Sequence, residues 1–442
     1  MDAGPYDGRG QNWSWALTGV LLASCVVVPC VFTTRIDAVF VVPKLGALWT
    51  MLALGIAIVA AGVLRSGRLP RPARDFWFVD VAVASFVALS VAAWVFSLDR
   101  GQSLYGERLQ YQGLLTLLLY VGFFYLARIS ITDCRGMRLL FFAVAIGATL
   151  VAGYALVQKS GRDPVWEGYL PGGRVFSSIG QANALAAYLV LAIPVSAALA
   201  VGPRRAIRAA VAVAVAAMIA ALALTRSRGG FLGLLAVLGV LAGASYRQIG
   251  DATRPFRIGL AAALVAAVMI FATGASIAGL PRVSTADPSI RFHLDAWRVA
   301  AQVAAENPLL GTGPETFPDV FPRYSHAVLP ADRAAALDAF RVESPHNVYL
   351  GIAAGSGAPA LIAYLAIVAG FFVAASRAAR KATTEIRLQL VAVLAGAAGH
   401  VVTSAFMSAD VTSTWLFWVL MGSALGVASQ PSRQTQQSRV PR

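Results

Sequence analysis

Apolar residues fall along this chain in long runs, near residues 14–34, 38–64, 78–97, 111–129, 138–157, 181–201, 207–225, 230–246, 258–279, 346–376, 388–408 and 411–429. An α-helix needs roughly 20 such residues to cross a bilayer core, and none of the runs alternates apolar and polar positions as a barrel strand does. The pattern predicts an all-α integral membrane protein of about twelve transmembrane helices. Polar stretches divide it into an N-terminal tail (1–13), spans 1–9 (14–279) with a short loop at 158–180, a long loop (280–345), spans 10–12 (346–429) and a C-terminal tail (430–442). The tail, "QPSRQTQQSRVPR", is low in complexity and is expected to be disordered. No internal repeat is visible, nor the paired interrupted helices of inverted-repeat transporters.

Composition carries the same message: of 442 residues 58% are hydrophobic and 13% charged, and the mean hydropathy is +0.69. Those values exclude a soluble globular fold. The net charge of +15 raises nucleic acid as a partner. The basic residues, however, sit in short clusters between apolar runs, as the positive-inside rule expects, so the partner read here is the bilayer and not nucleic acid. Cys25 and Cys30 lie in an apolar run and Cys134 in a basic loop, which makes neither a disulfide framework nor a metal spacing. The N-terminus, "MDAGPYDGRGQNWSW", is polar and lacks a small-residue cleavage site after the first apolar run, so it reads as a cytoplasmic tail. With that end inside, the basic clusters at 65–74, 128–138, 204–208, 247–257 and 377–387 all fall on the inner side, as does the C-terminal tail. Both termini are then cytoplasmic, and the loops 158–180 and 280–345 lie on the outer face.

In the long loop, Asp287 followed by Pro288 reads as an N-cap and first helical position opening "SIRFHLDAWRVAAQVAAE". Ile290, Leu294, Trp297 and Ala301 share one face at helical spacing, and Arg291, Asp295, Arg298 and Gln302 another. Such a helix is expected to lie flat on the membrane surface, with His293 at the interface. "ENPLLGTGPETFPDVFPRY" is rich in Pro and Gly and predicts an ordered, turn-rich crossing, after which "ADRAAALDAFR" forms a second short helix.

The outer loops also collect cations. Gly172 and Gly173 free the backbone before Arg174, and Gln181 and Asn183 open the next helix. Arginine binds phosphate oxygens bidentately and helix N-termini attract anions, so Arg174 suits either a phosphate ligand or a lipid headgroup. Arg226 and Arg228, in "LTRSRGGFLG", stand between two spans with almost no loop, on the side where the charge bias disfavours arginine. Snorkelling is the alternative. One of only four histidines, His346, stands at the outer end of a span in "ESPHNVYLGIAAGSG". A lone histidine at a helix start is more often structural than catalytic. Beside arginines its pKa would fall, leaving a neutral imidazole able to take a proton from a hydroxyl. His400, in a late span, reads as a buried polar partner of Asp410, and His326 as a plain loop residue. No set of acids is spaced for a divalent metal.

Several motifs in order now carry a resemblance: "FVVPKLGAL", "SLDRGQSLYGERLQYQGL", "GRVFSSIGQANALAAYLVLAIP", "LTRSRGGFLG", "SIRFHLDAWRVAAQVAAENPLLGTGPETF" and "ESPHNVYLGIAAGSGAPALIAYL". Together, over residues 35–430, the chain resembles the O-antigen ligase family of bacterial membrane glycan transferases. The resemblance implies a GT-C-like glycosyltransferase with its site on the outer (periplasmic) face of the cytoplasmic membrane. It needs neither metal nor cofactor, and moves a glycan from a polyprenyl (undecaprenyl) diphosphate carrier to an acceptor hydroxyl. Lipid A core (in lipopolysaccharide biosynthesis), another repeat unit (in a polymerase) or a protein serine or threonine could be that acceptor. By motif position, His346 is the implied base and Arg174, Arg291 and Arg228 the diphosphate ligands, with Asn347, Gln181, Asn183 and Arg226 in support. A transporter or flippase of lipid-linked sugars, and a structural envelope protein, are the readings from other classes.

Overall fold

A computed structural model of the chain describes residues 11–67, 74–201, 204–246 and 288–429. Among them the regular structure is helical: α1 (Gln11–Cys30), α2 (Val41–Ser66), α3 (Trp77–Val95), α4 (Arg100–Tyr105), α5 (Leu114–Ser130), α6 (Cys134–Lys159), α7 (Ala182–Ala197), α8 (Arg205–Leu224) and α9 (Arg228–Tyr246). There follow α10 (Pro288–Glu306), α11 (Phe317–Val328), α12 (Ala331–Asp338), α13 (Val348–Lys381), α14 (Thr384–Thr403) and α15 (Val411–Ala428). Nine helices among the described residues are long and apolar enough to cross a membrane, and the apolar helices at Leu114–Ser130 and Arg228–Ala244 are shorter. The expected span at 258–279, the Asp287 cap, residues 1–10 and the C-terminal tail lie outside the described residues, while the last three residues of the expected N-terminal tail, 11–13, begin α1.

The most enclosed helices are α7 and α15, which carry apolar residues all round and are sheathed by the others. Trp415 and Trp418 on α15 meet Phe123 and Phe124 of α5 edge-on, at 5.6 and 5.8 Å between ring centres. Gly422 and Gly426 let α15 approach the backbone of α5 where any Cβ would collide with its carbonyls. At one end of the bundle Arg128, buried, pairs with Asp80, which also accepts from Tyr125. A buried charge is tolerable only with such partners.

The opposite end gathers the connections 31–40, 96–113, 160–181, 225–227, 288–347 and 404–410. Lys44, fully buried, donates to the carbonyls of Val31 (2.9 Å) and Ser178 (2.6 Å), tying the first of these to the third. Arg341 grips the buried carboxylate of Glu107 with two bonds of 3.0 Å, tying the long segment to the second.

The long segment and the helix that follows it depart from expectation in three ways. Residues 317–328, within and just beyond the expected turn-rich crossing, form α11. Pro318 falls in the first turn, where no amide donor is needed, and Phe317, Val320, Phe321 and Tyr324 make one buried face. Helix α10 buries Ala296, Val299, Ala300 and Val303 against α11 and α13, while Leu294, on the face assigned to the membrane, is 38% exposed. Small side chains allow the close helix packing that the Leu294 face does not. It is thus part of a second, smaller core, not a helix lying alone on a surface. Asp295, placed on the polar face by spacing, is buried and paired with Arg333 and Arg298.

The third departure is in α13, which breaks at Gly357 (φ 83°). The interruption frees the carbonyls of Ala354 and Gly355, which accept from Thr312 (3.0 Å) and Gly313 (2.9 Å), while Ala358 donates to Pro308 (2.8 Å). Backbone polar groups must be paired when buried, and the turn 308–313 completes the broken helix. This junction fixes the long segment over the end of the bundle.

Candidate functional site

Arg174 leaves a turn in which Gly172 and Gly173 both have positive φ, a conformation that glycine adopts freely. Its Nε donates to the carbonyl of Thr225 (2.7 Å) and a terminal nitrogen to Oδ1 of Asn183 (2.6 Å). Those bonds aim the guanidinium and leave three of its five N–H donors without an acceptor among the described residues. Gln181, at the N-cap position of α7, is exposed and makes no side-chain cap.

Arg226 follows Thr225 with φ 50°, and its Nη1 comes within 3.5 Å of where a Cβ on Gly173 would sit. Arg228 opens α9. Burial first, and then the charges of Arg226 and Arg228, press the Arg174 pKa below its ordinary value. Three cations are therefore held within electrostatic reach of one another, and Arg174 and Arg226 have no carboxylate partner among the described residues. Such a cluster favours a multiply charged anion.

Next to it stands His293, which spacing had placed at the interface. Burial and then the charge of Arg228 lower its pKa. Its ring lies 5.4 Å from that of His346, nearly perpendicular, and its Nδ1 is buried without a hydrogen-bond partner among the described residues. Phe292 covers His346 at 5.5 Å. The arginines and His346 are thus linked through a histidine that the sequence reading did not select. Its signal was rarity, since His293 is one of only four histidines.

His346 has φ 49°, a left-handed conformation uncommon outside glycine and costly for a side chain of this size. Its amide donates to Ser344 Oγ (3.3 Å), and Nδ1 lies 3.5 Å from Ser408 Oγ, which in turn bonds Ser344. Burial, with His293 adding to it, lowers the His346 pKa to about 4. The expected arginine effect on this ring is thus replaced by desolvation. Asn347 is spent as the N-cap of α13, its Oδ1 accepting from Tyr349 (3.0 Å) and Leu350 (3.1 Å).

Arg291 is set apart. Two residues from His293 on the helix, it faces roughly the opposite way and lines a separate cavity with Arg333 and Arg341. His400 and Asp410 do not pair: Asp410 caps α15 through Thr412 and Ser413, and His400 lies against Phe417 at 4.6 Å. His326 lies in the last turn of α11, not in a loop.

An all-helical, multi-span bundle with a histidine and an arginine cluster gathered at one end defines a membrane protein whose polar chemistry sits at one mouth of the bundle. Residues 213–365 match the family model described as O-antigen ligase, and this match supports assigning the chain to that family. The matched segment includes Arg226, Arg228, Arg291, His293, His346 and Asn347; Arg174 and Asn183 precede it. The match supports glycan transfer at a membrane, of the ligase or polymerase type. No curated protein matches the chain.

Proposed function

We propose that the protein is an inverting glycosyltransferase that moves a glycan from a polyprenyl diphosphate carrier to an acceptor hydroxyl. It works at the outer face of the bacterial cytoplasmic membrane, with both termini inside. The observation that carries this reading is the adjacency of a half-buried His346, whose pKa desolvation lowers, to the Arg174, Arg226 and Arg228 cluster, bridged by His293. In the reaction His346 accepts the acceptor's hydroxyl proton while its oxygen attacks the anomeric carbon. The bond from that carbon to the diphosphate oxygen breaks, and the electron pair departs on the diphosphate. Arg174 and Arg228, with Arg226, stabilise that charge as it develops. The reaction is read as metal-independent, the guanidinium charges taking the part a divalent ion would otherwise play. Arg291, facing elsewhere, is assigned a secondary part in holding the donor.

The test is transfer in reconstituted membranes with lipid diphosphate-linked glycan, candidate acceptors and a chelator. His346→Ala should lower kcat by about 10²- to 10⁴-fold, the range for loss of a general base, with donor binding retained. Near wild-type transfer by that variant would remove the base assignment. Donor moved across the bilayer by wild-type protein without any new glycosidic bond would make it a transporter instead.

A further inference from the structure

In the proposed reaction His293 has no chemical part of its own, although its ring stands next to both His346 and the arginines. Packing holds it there. Trp297, one turn further along α10, meets Phe406 at 6.0 Å between ring centres, and the Phe406 Cβ lies 3.0 Å from where a Cβ on Gly229 would sit. Helix α10 is thereby pressed towards the start of α9, where Arg228 stands. His293 and Trp297 share a face of α10 at helical spacing, their rings 6.4 Å apart. An anion held by Arg228 therefore lies within electrostatic reach of the imidazole.

Two features of His293 call for a ligand. Its Nδ1 is buried with no hydrogen-bond partner among the described residues, so an imidazolium here would lack an acceptor for one of its N–H groups. Its charged surroundings are cationic: Arg228 from α9, with Arg174 and Arg226 in the same cluster, while His346 faces it from the connection before α13. On α10 itself the nearest acid, Asp295, is turned away by about 200° and is held by Arg298 and Arg333. Burial and then Arg228 keep the His293 pKa below its ordinary value, so the ring of the empty site is neutral near pH 7. A fourth permanent cation would repel the other three. A histidine avoids that cost, because it becomes charged only when an anion is present.

An arriving diphosphate reverses both conditions: its charge favours the imidazolium, and its oxygens supply the missing acceptor. We propose that His293 is a further ligand of the donor diphosphate, neutral while the site is empty and taking a proton from solvent as the diphosphate binds, with one of its N–H groups bonded to a diphosphate oxygen. That proton returns to solvent when the carrier diphosphate leaves. No bond of the glycan forms or breaks at His293; the ring adds a positive charge where the electron pair of the broken bond arrives. In the pH window between the pKa of the empty site and the higher one of the occupied site, affinity should rise as pH falls. The inference rests on the transferase reading for the identity of the donor, but diphosphate binding can be measured without turnover.

The probe is a farnesyl methyl diphosphate diester. Unlike a terminal phosphate, whose second pKa is about 6, it has no group that titrates near neutrality. Calorimetric titration of full-length protein in nanodiscs, in two buffers of different ionisation enthalpy, should show proton uptake on binding. Affinity should rise at least threefold from about pH 7.5 to about pH 5.5, and the arginines, charged throughout, contribute nothing to that slope. His293→Asn and His293→Gln, whose amides keep a donor but cannot titrate, should still bind at the alkaline end while losing both the uptake and the slope, a pattern that loss of structure would not give. His346→Ala should keep both. The proposal falls if wild type binds the diester without proton uptake, if it does not bind the diester at any pH, or if the slope disappears with His346 and not with His293. In transfer assays the His293 variants should lower kcat/KM for donor by about tenfold at the acid end, the equivalent of one charge-assisted hydrogen bond, with acceptor KM unchanged. Wild-type transfer accompanied by proton-independent binding would strike His293 alone. Proton uptake that the His293 variants lose would keep the assignment even if no donor and acceptor pair gave transfer and the transferase reading fell.

Discussion

At the scale of single residues, the chemistry turns on how far His346 is desolvated. Its pKa of about 4 lies well below the ordinary histidine value. The imidazole is thus neutral across the physiological range, and protonation, which would abolish its use as a base, sets in only as pH falls toward 4. The acid limb of kcat/KM for transfer, which reports the free protein, should therefore lie well below 6.5. Bound diphosphate brings negative charge toward the ring and favours its cation, so the corresponding limb of kcat should move upward. An acid limb at 6.5 in both would mean that another group titrates. Arg174 invites a different test, because its two fixed bonds depend on a planar fork that lysine lacks. Arg174→Lys should cost at least tenfold in kcat/KM, and Asn183→Ala a smaller part of the same loss, both read with donor as the varied substrate. Arg174, Asn183, Arg226 and Arg228 could be found from sequence because they stand at helix ends, where chain direction alone sets the neighbourhood. His293 could not, since its role depends on the rotational phase of α10. That phase is set by Val299, Ala300 and Val303 meeting partners distant in sequence. The same phase turns Arg291 away from the cluster.

Among the elements, α13 shows most clearly what an apolar run conceals. Residues 346–376 read as one continuous span. The break becomes intelligible only with the turn 308–313 in place, whose amides take the carbonyls that the interruption frees. A side chain at 357 would need φ +83° and would drive its Cβ into the carbonyl of Leu309. Gly357→Ala should therefore destabilise the protein by about 2–4 kcal/mol, combining left-handed strain with loss of docking. Gly351→Ala provides the contrast: it lies in the regular first part of α13, and its Cβ would meet nothing closer than Pro345 Cγ at 3.7 Å. It should change stability by less than about 1 kcal/mol, close to the helix-propensity difference between the two residues. Thermal unfolding in detergent, with both variants beside wild type, checks the pair. Equal melting temperatures would mean that the 308–313 turn is not fixed by the broken helix.

Over the whole molecule, the two ends of the bundle differ in kind. One holds compact ion pairs and caps, such as Arg128 with Asp80, Arg138 with Glu385 at 3.8 Å and Gln389 on the Cys134 carbonyl at 2.9 Å. The other collects the six connections around His346 and the arginines. The charge bias, read with that division, supports the proposed placement of the second end outside, because the basic clusters at 128–138, 204–208 and 377–387 belong to the first. The placement can be tested directly. Ala327 is exposed on α11 near the His346 end, and Ala206 is exposed in the first turn of α8 at the other. In spheroplasts of a bacterial host, an impermeant thiol reagent should label Ala327→Cys at once and Ala206→Cys only after permeabilisation. The reverse pattern would put the mouth of the bundle in the cytoplasm, where the charge bias would be violated at every short loop. The donor would then have to be met before its carrier crosses the membrane, and the proposed reaction at the outer face would fall even if transfer itself were observed.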